Sequence, residues 1–169
     1  MKEDYPYSVD RFIKLLKKEA YFRKKNKPFI KSEYSELLSY KVVLYDYVCW
    51  KNRNEILKLM KKFCNDEISL ATFDTEFFEL WRFNRDLTQF IEENVKLINL
   101  IEIDPRSRNC ALIVSNLMSY LEFLYERKDE DDDDDEENGE NSKEETSNEM
   151  VRSLIEEAYQ ELPLSLNLK

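Results

Sequence analysis

Residues 55–82 read EILKLMKKFCNDEISLATFDTEFFELWR, and the fold class is decided there. Ile56, Leu59, Met60 and Phe63 recur at i, i+3, i+4 and i+7, the spacing that lines one face of an α-helix. Asn65, Asp66 and Glu67 close that segment. Ser69 or Thr72 opens the next, which carries Phe73, Phe77, Leu80 and Trp81 on one side with Asp74, Glu76 and Glu79 around it. Two amphipathic helices joined by a short polar turn must bury their apolar faces, and the flanking sequence supplies partners of the same kind.

Upstream, Ser8 caps a helix whose stripe is Val9, Phe12, Ile13, Leu16 and Ala20, ending in the basic cluster Arg23, Lys24 and Lys25. Residues 26–31, with Pro28, form a break. Ser32 begins a second helix through LLSYKVVLYDYVCW, with Leu38, Val42, Tyr45 and Cys49 on one face; its valines and tyrosines also suit a strand, but no neighbouring strand is available to pair with it. Downstream, DLTQFIEENVKLINL turns Leu87, Phe90, Ile91 and Ile98 inward. Asp104 and Pro105 then lead into a helix with Cys110, Ile113, Val114, Leu117, Leu121 and Leu124 as its stripe. Val151, Leu154, Ile155, Ala158 and Leu162 make a terminal helix that Pro163 stops.

These stripes are read as core. The expected fold is all-α: an antiparallel helical bundle with a four-helix core (residues 51–128 and 147–163), a basic N-terminal helical extension (1–50) and a disordered acidic loop (129–146). One glycine and four prolines in 169 residues disfavour hairpin-rich and phosphate-loop folds, while 42% hydrophobic residues suffice for a core. The chain has no histidine, and no serine-nucleophile motif appears, so an enzyme is not expected and no cofactor is implied. Cys49, Cys64 and Cys110 form no CxxC; free thiols used as small core residues are expected, with no metal. No segment is apolar for long enough to span a bilayer and none has a signal-peptide pattern, so a cytoplasmic location is expected.

Charge is distributed unevenly. Residues 1–62 hold 16 basic and 8 acidic side chains, whereas residues 63–169 hold 10 basic and 28 acidic. A basic first third suits nucleic acid, an anionic surface or the chain's own acidic end; the acidic remainder repels phosphate and attracts basic proteins. Nine consecutive carboxylates occupy residues 129–137. Three readings of that run stay open: a solvated linker, weak divalent-cation association without the ligand spacing of an EF-hand, and mimicry of a polyanion in a basic cleft.

From about residue 52 to 162 the order of elements resembles the family of the colicin D immunity protein, the colicin-like bacterial self-immunity domains. The stretches that carry the resemblance are residues 55–82 quoted above, IDPRSRNCALIVSNLMSYLEFLYE (103–126) and MVRSLIEEAYQEL (150–162). Residues 1–50 have no counterpart in the smallest members, and residues 86–100 add an apparent helix between the second and third family helices. The resemblance implies a small acidic helical bundle that binds and blocks a toxin ribonuclease domain, with acids at the end of the third helix and in the following loop standing in for substrate phosphates. Carried over by position, those acids are Glu122, Glu126, Asp129 and Asp131. Independently, Ser115, Ser119, Glu122 and Glu126 share a face beside the Val114, Leu117 and Leu121 stripe, which predicts that both glutamates are exposed.

The function expected is therefore an immunity or antitoxin-like protein that binds a basic toxin nuclease one-to-one by acidic mimicry, with no nucleic acid bound through the acidic part. The alternative is a non-catalytic accessory or scaffold protein. The bias toward Lys, Asn, Ile, Phe and Tyr places that alternative in an AT-rich bacterium or in an organelle such as the plastid stroma.

Overall fold

The chain's single glycine is Gly139, so the left-handed backbone positions of the described residues fall to Asn26 (φ 51°) and Asp66 (φ 58°). Both follow helix ends. Lys27 N–H donates to the Phe22 carbonyl at 3.0 Å, and Glu67 N–H donates to the Lys62 carbonyl at 2.9 Å. This pairing closes a helix by reversing its last turn, and Asn and Asp tolerate the left-handed region better than most residues. The computed structural model describes residues 7–130 and 140–166, with side chains described through Phe123 and again from Asn148 to Leu162. Six helices run through them: α1 (Val9–Lys24), α2 (Lys31–Cys64), α3 (Leu70–Glu93), α4 (Val95–Ile98), α5 (Ser107–Glu130) and α6 (Glu140–Leu166). The described residues contain no strand, so the chain is all-α as its periodicity predicts.

Three expected boundaries move. The segments expected around residues 32–50 and 56–63 are one 34-residue helix, α2, because no glycine or proline interrupts residues 31–64. The buried face of α2 is also in a different phase. Leu37, Tyr40, Leu44 and Val48 turn inward, while Leu38 and Val42 stay 43% and 44% exposed. Residues 86–93, expected in a separate stretch, continue α3. Phe90, expected inward, is exposed, since thirteen residues place it roughly 140° around the helix from buried Phe77, whereas Ile91 returns to that face. Finally, α6 runs past Pro163, where the sequence pattern stops it, to Leu166. Ser69 caps α3, its Oγ accepting from Thr72 N–H at 3.2 Å, and Ser8 caps α1 in the same way.

Two apolar cores are stacked along α2 and α3. The first gathers Ile56, Met60 and Phe63 of α2, Phe73 and Phe77 of α3, Val114, Leu117 and Leu121 of α5, and Val151 and Ile155 of α6; this is the four-helix bundle. The second gathers Phe12, Leu15 and Leu16 of α1 with Leu37, Tyr40, Leu44 and Val48 of α2, Ile91 of α3, Ile98 of α4 and Ile101. The expected boundary after residue 50 thus falls inside a continuous helix, and the N-terminal part is packed into a core of its own. Arg11 holds α1 on α2 through a two-point contact to Glu36, Nε to Oε1 at 2.8 Å and Nη2 to Oε2 at 2.6 Å. Lys41 ties α2 to Glu19 of α1 at 3.2 Å and to Glu92 of α3 at 3.0 Å.

Between the two cores lies a polar layer. Asn52 Nδ2 donates to Asn84 Oδ1 at 2.6 Å, Asn84 Nδ2 reaches Cys49 Sγ at 3.8 Å, and the Thr88 hydroxyl donates to the Asn84 carbonyl at 2.8 Å. Asn84 is 1% exposed. Contacts of Phe63 with Phe73, Asn52 with Asn84 and Lys41 with Glu92 show that α2 and α3 are antiparallel. Arg108 beside Asp46, Cys110 against Trp50, and residues 114–121 packed with 56–63 show that α5 runs parallel to α2. Of the segment expected as a disordered loop, residues 129–130 belong to α5 and 140–146 to α6; residues 131–139 lie outside the described residues. Replacing Asn84 with Ala leaves the Asn52 amide without its partner in a half-buried site, and denaturant unfolding should show a loss of about 1–3 kcal/mol. A variant as stable as the parent chain would show that the amide pair does not hold the layer.

Candidate partner-binding face

The α5 stripe that fills the bundle (Cys110, Val114, Leu117 and Leu121) leaves the opposite side of the helix facing solvent. Glu122 stands at the margin of that outer side and is exposed, as its spacing from the core stripe predicts. Ser119 is exposed beside it and Ser115 is half-buried. Phe123, 51% exposed, follows Glu122 on the outer side of the helix, and Tyr120, 42% exposed, lies beyond it, about 160° around from Glu122. An exposed carboxylate and accessible rings on the outer side of one helix combine charge for steering with aromatic area for contact, a composition enriched where proteins bind one another.

The remaining candidates follow along the same helix. α5 continues to Glu130, so Glu126 and Asp129 stand four and seven residues on from Glu122, at positions on one side of a regular helix. Their side chains lie outside those described, and Asp131 lies outside the described residues altogether.

Many of the described carboxylates are paired, and Glu122 is among those that are not. Glu36 and Glu33 face Arg11, Glu19 and Glu92 share Lys41, Asp104 is held by Arg106, and Asp66 and Glu156 both meet Arg152. The guanidinium of Arg11 keeps the Glu36 carboxyl below the ordinary carboxylate range, and Arg106 holds Asp104 down at about 2. Glu122 has no ion-pair partner among the described residues. Its charge is not spent on the fold.

A second surface feature escapes the sequence. A groove of about 610 Å³ lies where α2, α3 and α5 meet, lined by Leu38, Val42 and Tyr45 with Thr88, Arg108 and Leu112. The shifted phase of α2 creates it by turning Leu38 and Val42 outward. A sign of that shift was present, since Leu37, Leu44 and Val48 form an alternative helical stripe. Asp46 lies at the groove, its side chain 5% exposed and 3.4 Å from Arg108. Burial raises its carboxyl to about 6 in spite of that guanidinium.

Catalytic equipment does not gather at either place. Burial pushes the Cys49 thiol up to about 12 and Cys110 to about 11, so neither is a ready nucleophile. The three cysteines are free: Cys49 and Cys110 are buried, whereas Cys64 is only partly so. Among the described residues no group of three or more Asp, Glu or Cys side chains is placed to hold a metal ion, and no helix is long and apolar enough to cross a membrane.

Residues 53–104 match the family described as bacterial self-protective colicin-like immunity. No curated protein and no solved structure matches the chain significantly. The matched span covers less than half of the chain: about the last third of α2, all of α3 and α4, and the approach to α5. It takes in residues 86–100, which the sequence reading set apart as an addition between family helices. It stops before Glu122, Glu126, Asp129 and Asp131. The likeness supports, in outline, an immunity-type toxin inhibitor, a class that acts by binding and not by catalysis.

Asp46 makes the electrostatics of the groove measurable. Its folded-state value lies above the ordinary value of 3.8. Its contribution to stability is therefore complete below about 4 and is lost as pH rises through about 6. Asp46→Asn should remove that decline and raise stability at pH 7 by on the order of 1–2 kcal/mol. Unfolding curves collected from pH 4 to 7 test this, and superimposable pH profiles for the two proteins would contradict it.

Proposed function

We propose that this protein is an immunity or antitoxin-like inhibitor that binds a basic toxin nuclease one-to-one and occupies its phosphate-binding cleft with carboxylates of α5. The observation that carries the reading is Glu122. It is an exposed acid without an ion-pair partner among the described residues, on the outer side of a helix that also exposes Phe123 and is anchored in the bundle next to the immunity-like span. Glu126 and Asp129 extend the row by helical spacing, and Asp131 begins the acidic run that follows. A rigid helix presents carboxylates at fixed intervals, so they can occupy positions that phosphates take in the substrate, and the run beyond them steers the encounter. A transfer RNA-cutting ribonuclease is the target implied by the family likeness. Because the matched family is one of bacterial self-protection, it favours this role over an accessory part in an organelle.

Purification with its basic toxin nuclease domain should yield a one-to-one complex whose association rate falls steeply as salt rises. Glu122→Lys should weaken it by about 2–5 kcal/mol if the contact is desolvated, with Glu122→Gln intermediate. Undiminished affinity in a variant carrying both Glu122→Lys and Glu126→Lys would sink the mimicry.

A further inference from the structure

At the other end of α2 the balance of charge is reversed. From Phe22 to Lys31 the chain places Arg23, Lys24, Lys25, Lys27 and Lys31 around the α1–α2 turn with no acid among them. All five are exposed. Arg23 has Glu19 at 3.6 Å, on a side chain that is 80% exposed; the four lysines have no carboxylate partner among the described residues. Other basic residues nearby are engaged in the fold, Lys18 with Glu33 and Lys41 with Glu19 and Glu92. The turn thus carries a concentrated positive charge that folding does not consume.

Aromatic rings stand among those cations. Tyr21, Phe22, Phe29 and Tyr34 form a ladder of edge-to-face contacts, with successive centroids 5.9, 5.7 and 6.2 Å apart. The inner two are half-buried, while Tyr21 and Tyr34 at its ends are 57% and 44% exposed. Edge-to-face packing holds each ring at a defined tilt and leaves the outer tyrosines open to a stacking partner.

We propose that this pole binds single-stranded nucleic acid, with the lysines and Arg23 on successive phosphates and Tyr21 and Tyr34 stacking on bases. A cationic track interleaved with accessible aromatics is the combination that grips a single strand without reading its sequence. An anionic membrane fits less well. The apolar face of α1, with Phe12 and Leu15 at 0% and 1% exposure, is committed to a core, so the helix has no stripe left to sink into a bilayer. The described helix ends on either side of the acidic run are also distant from the site. α5 is parallel to α2, so the helix ends flanking residues 131–139 lie at the opposite pole, roughly 50 Å away by the helical rise over 34 residues. The pole is also far from Glu122, so a nucleic-acid strand and a basic protein can be held together without competing.

Fluorescence anisotropy of a labelled 12-nucleotide oligouridylate tests the proposal, with the full chain as titrant. Binding should weaken with salt at a log–log slope of about −3, as expected for roughly four to five neutralised phosphates on a single strand. Lys24→Gln, Lys25→Gln and Lys27→Gln combined should lower affinity about 30-fold and flatten that slope, with helical content unchanged by circular dichroism. Tyr21→Ala and Tyr34→Ala should each lower it about tenfold while leaving the slope as it was, a separation that pure charge attraction does not produce. The proposal is overturned if the triple glutamine variant binds as well as the parent or if the tyrosine variants have no effect. It is equally overturned if phosphatidylserine vesicles or poly-glutamate bind more tightly than the oligonucleotide.

Discussion

The hydrogen bond between Asn52 and Asn84 fixes the frame on which the rest of the molecule is assembled. Two apolar helices of the length of α2 and α3 could pack in several axial registers with similar burial, since a slip of one turn replaces one large side chain by another. A slip that separates these amides leaves Asn84, fully enclosed, without a partner, a penalty comparable to that of a lost buried hydrogen bond. With the register set, Phe63 meets Phe73 at one end and Lys41 meets Glu92 at the other. The five-residue turn between α2 and α3, closed by left-handed Asp66 and opened by the Ser69 cap, agrees with the same alignment. The span that matches the immunity family begins one residue past Asn52 and contains all of α3, so the shared portion is this hairpin.

Much of the architecture was legible because each apolar stripe states its own period. Ile56 to Phe63, Phe73 with Phe77, the α5 stripe through Leu121 and the α6 stripe from Val151 to Leu162 are where their spacing puts them. Phase was harder to read than helicity. In α2, Leu37 and Leu38 are neighbours, and either can begin an apolar stripe; only the arrival of α1 on one side decides that Leu37, Tyr40 and Leu44 turn inward. α1 itself brings Phe12 against Tyr40 at 5.5 Å, a contact across 28 residues that no local pattern announces. In α3 the inward positions after Phe77 are Asn84 and Thr88, polar residues that a search for apolar periodicity passes over. The groove beside Leu38 and Val42 was missed for the same reason. Glu122 was legible because its exposure follows from the core stripe next to it.

Charge follows a spatial logic beneath the uneven totals along the sequence. Four acids around the second core are spent on holding helices together: Glu36 on Arg11, Glu33 on Lys18, Glu19 and Glu92 on Lys41. That leaves the cations at the α1–α2 turn unneutralised at one pole, while acids accumulate on α5 toward the other. Pairing of this kind stabilises modestly where it is exposed and more where it is half-buried. Its larger consequence is to sort charge by location, so that surfaces of opposite sign lie at opposite ends of the parallel helices α2 and α5.

The continuity of α2 through both cores bears on how the molecule comes apart. A helix that belongs to two separate apolar clusters does not have to open as a unit. Its first half can lose protection with α1 and α4 while its second half stays locked in the four-helix bundle, with the amide layer between them as the stopping point. Hydrogen exchange along this one helix would then fall into two cooperative units whose border is a pair of asparagines, within a segment whose secondary structure shows no seam.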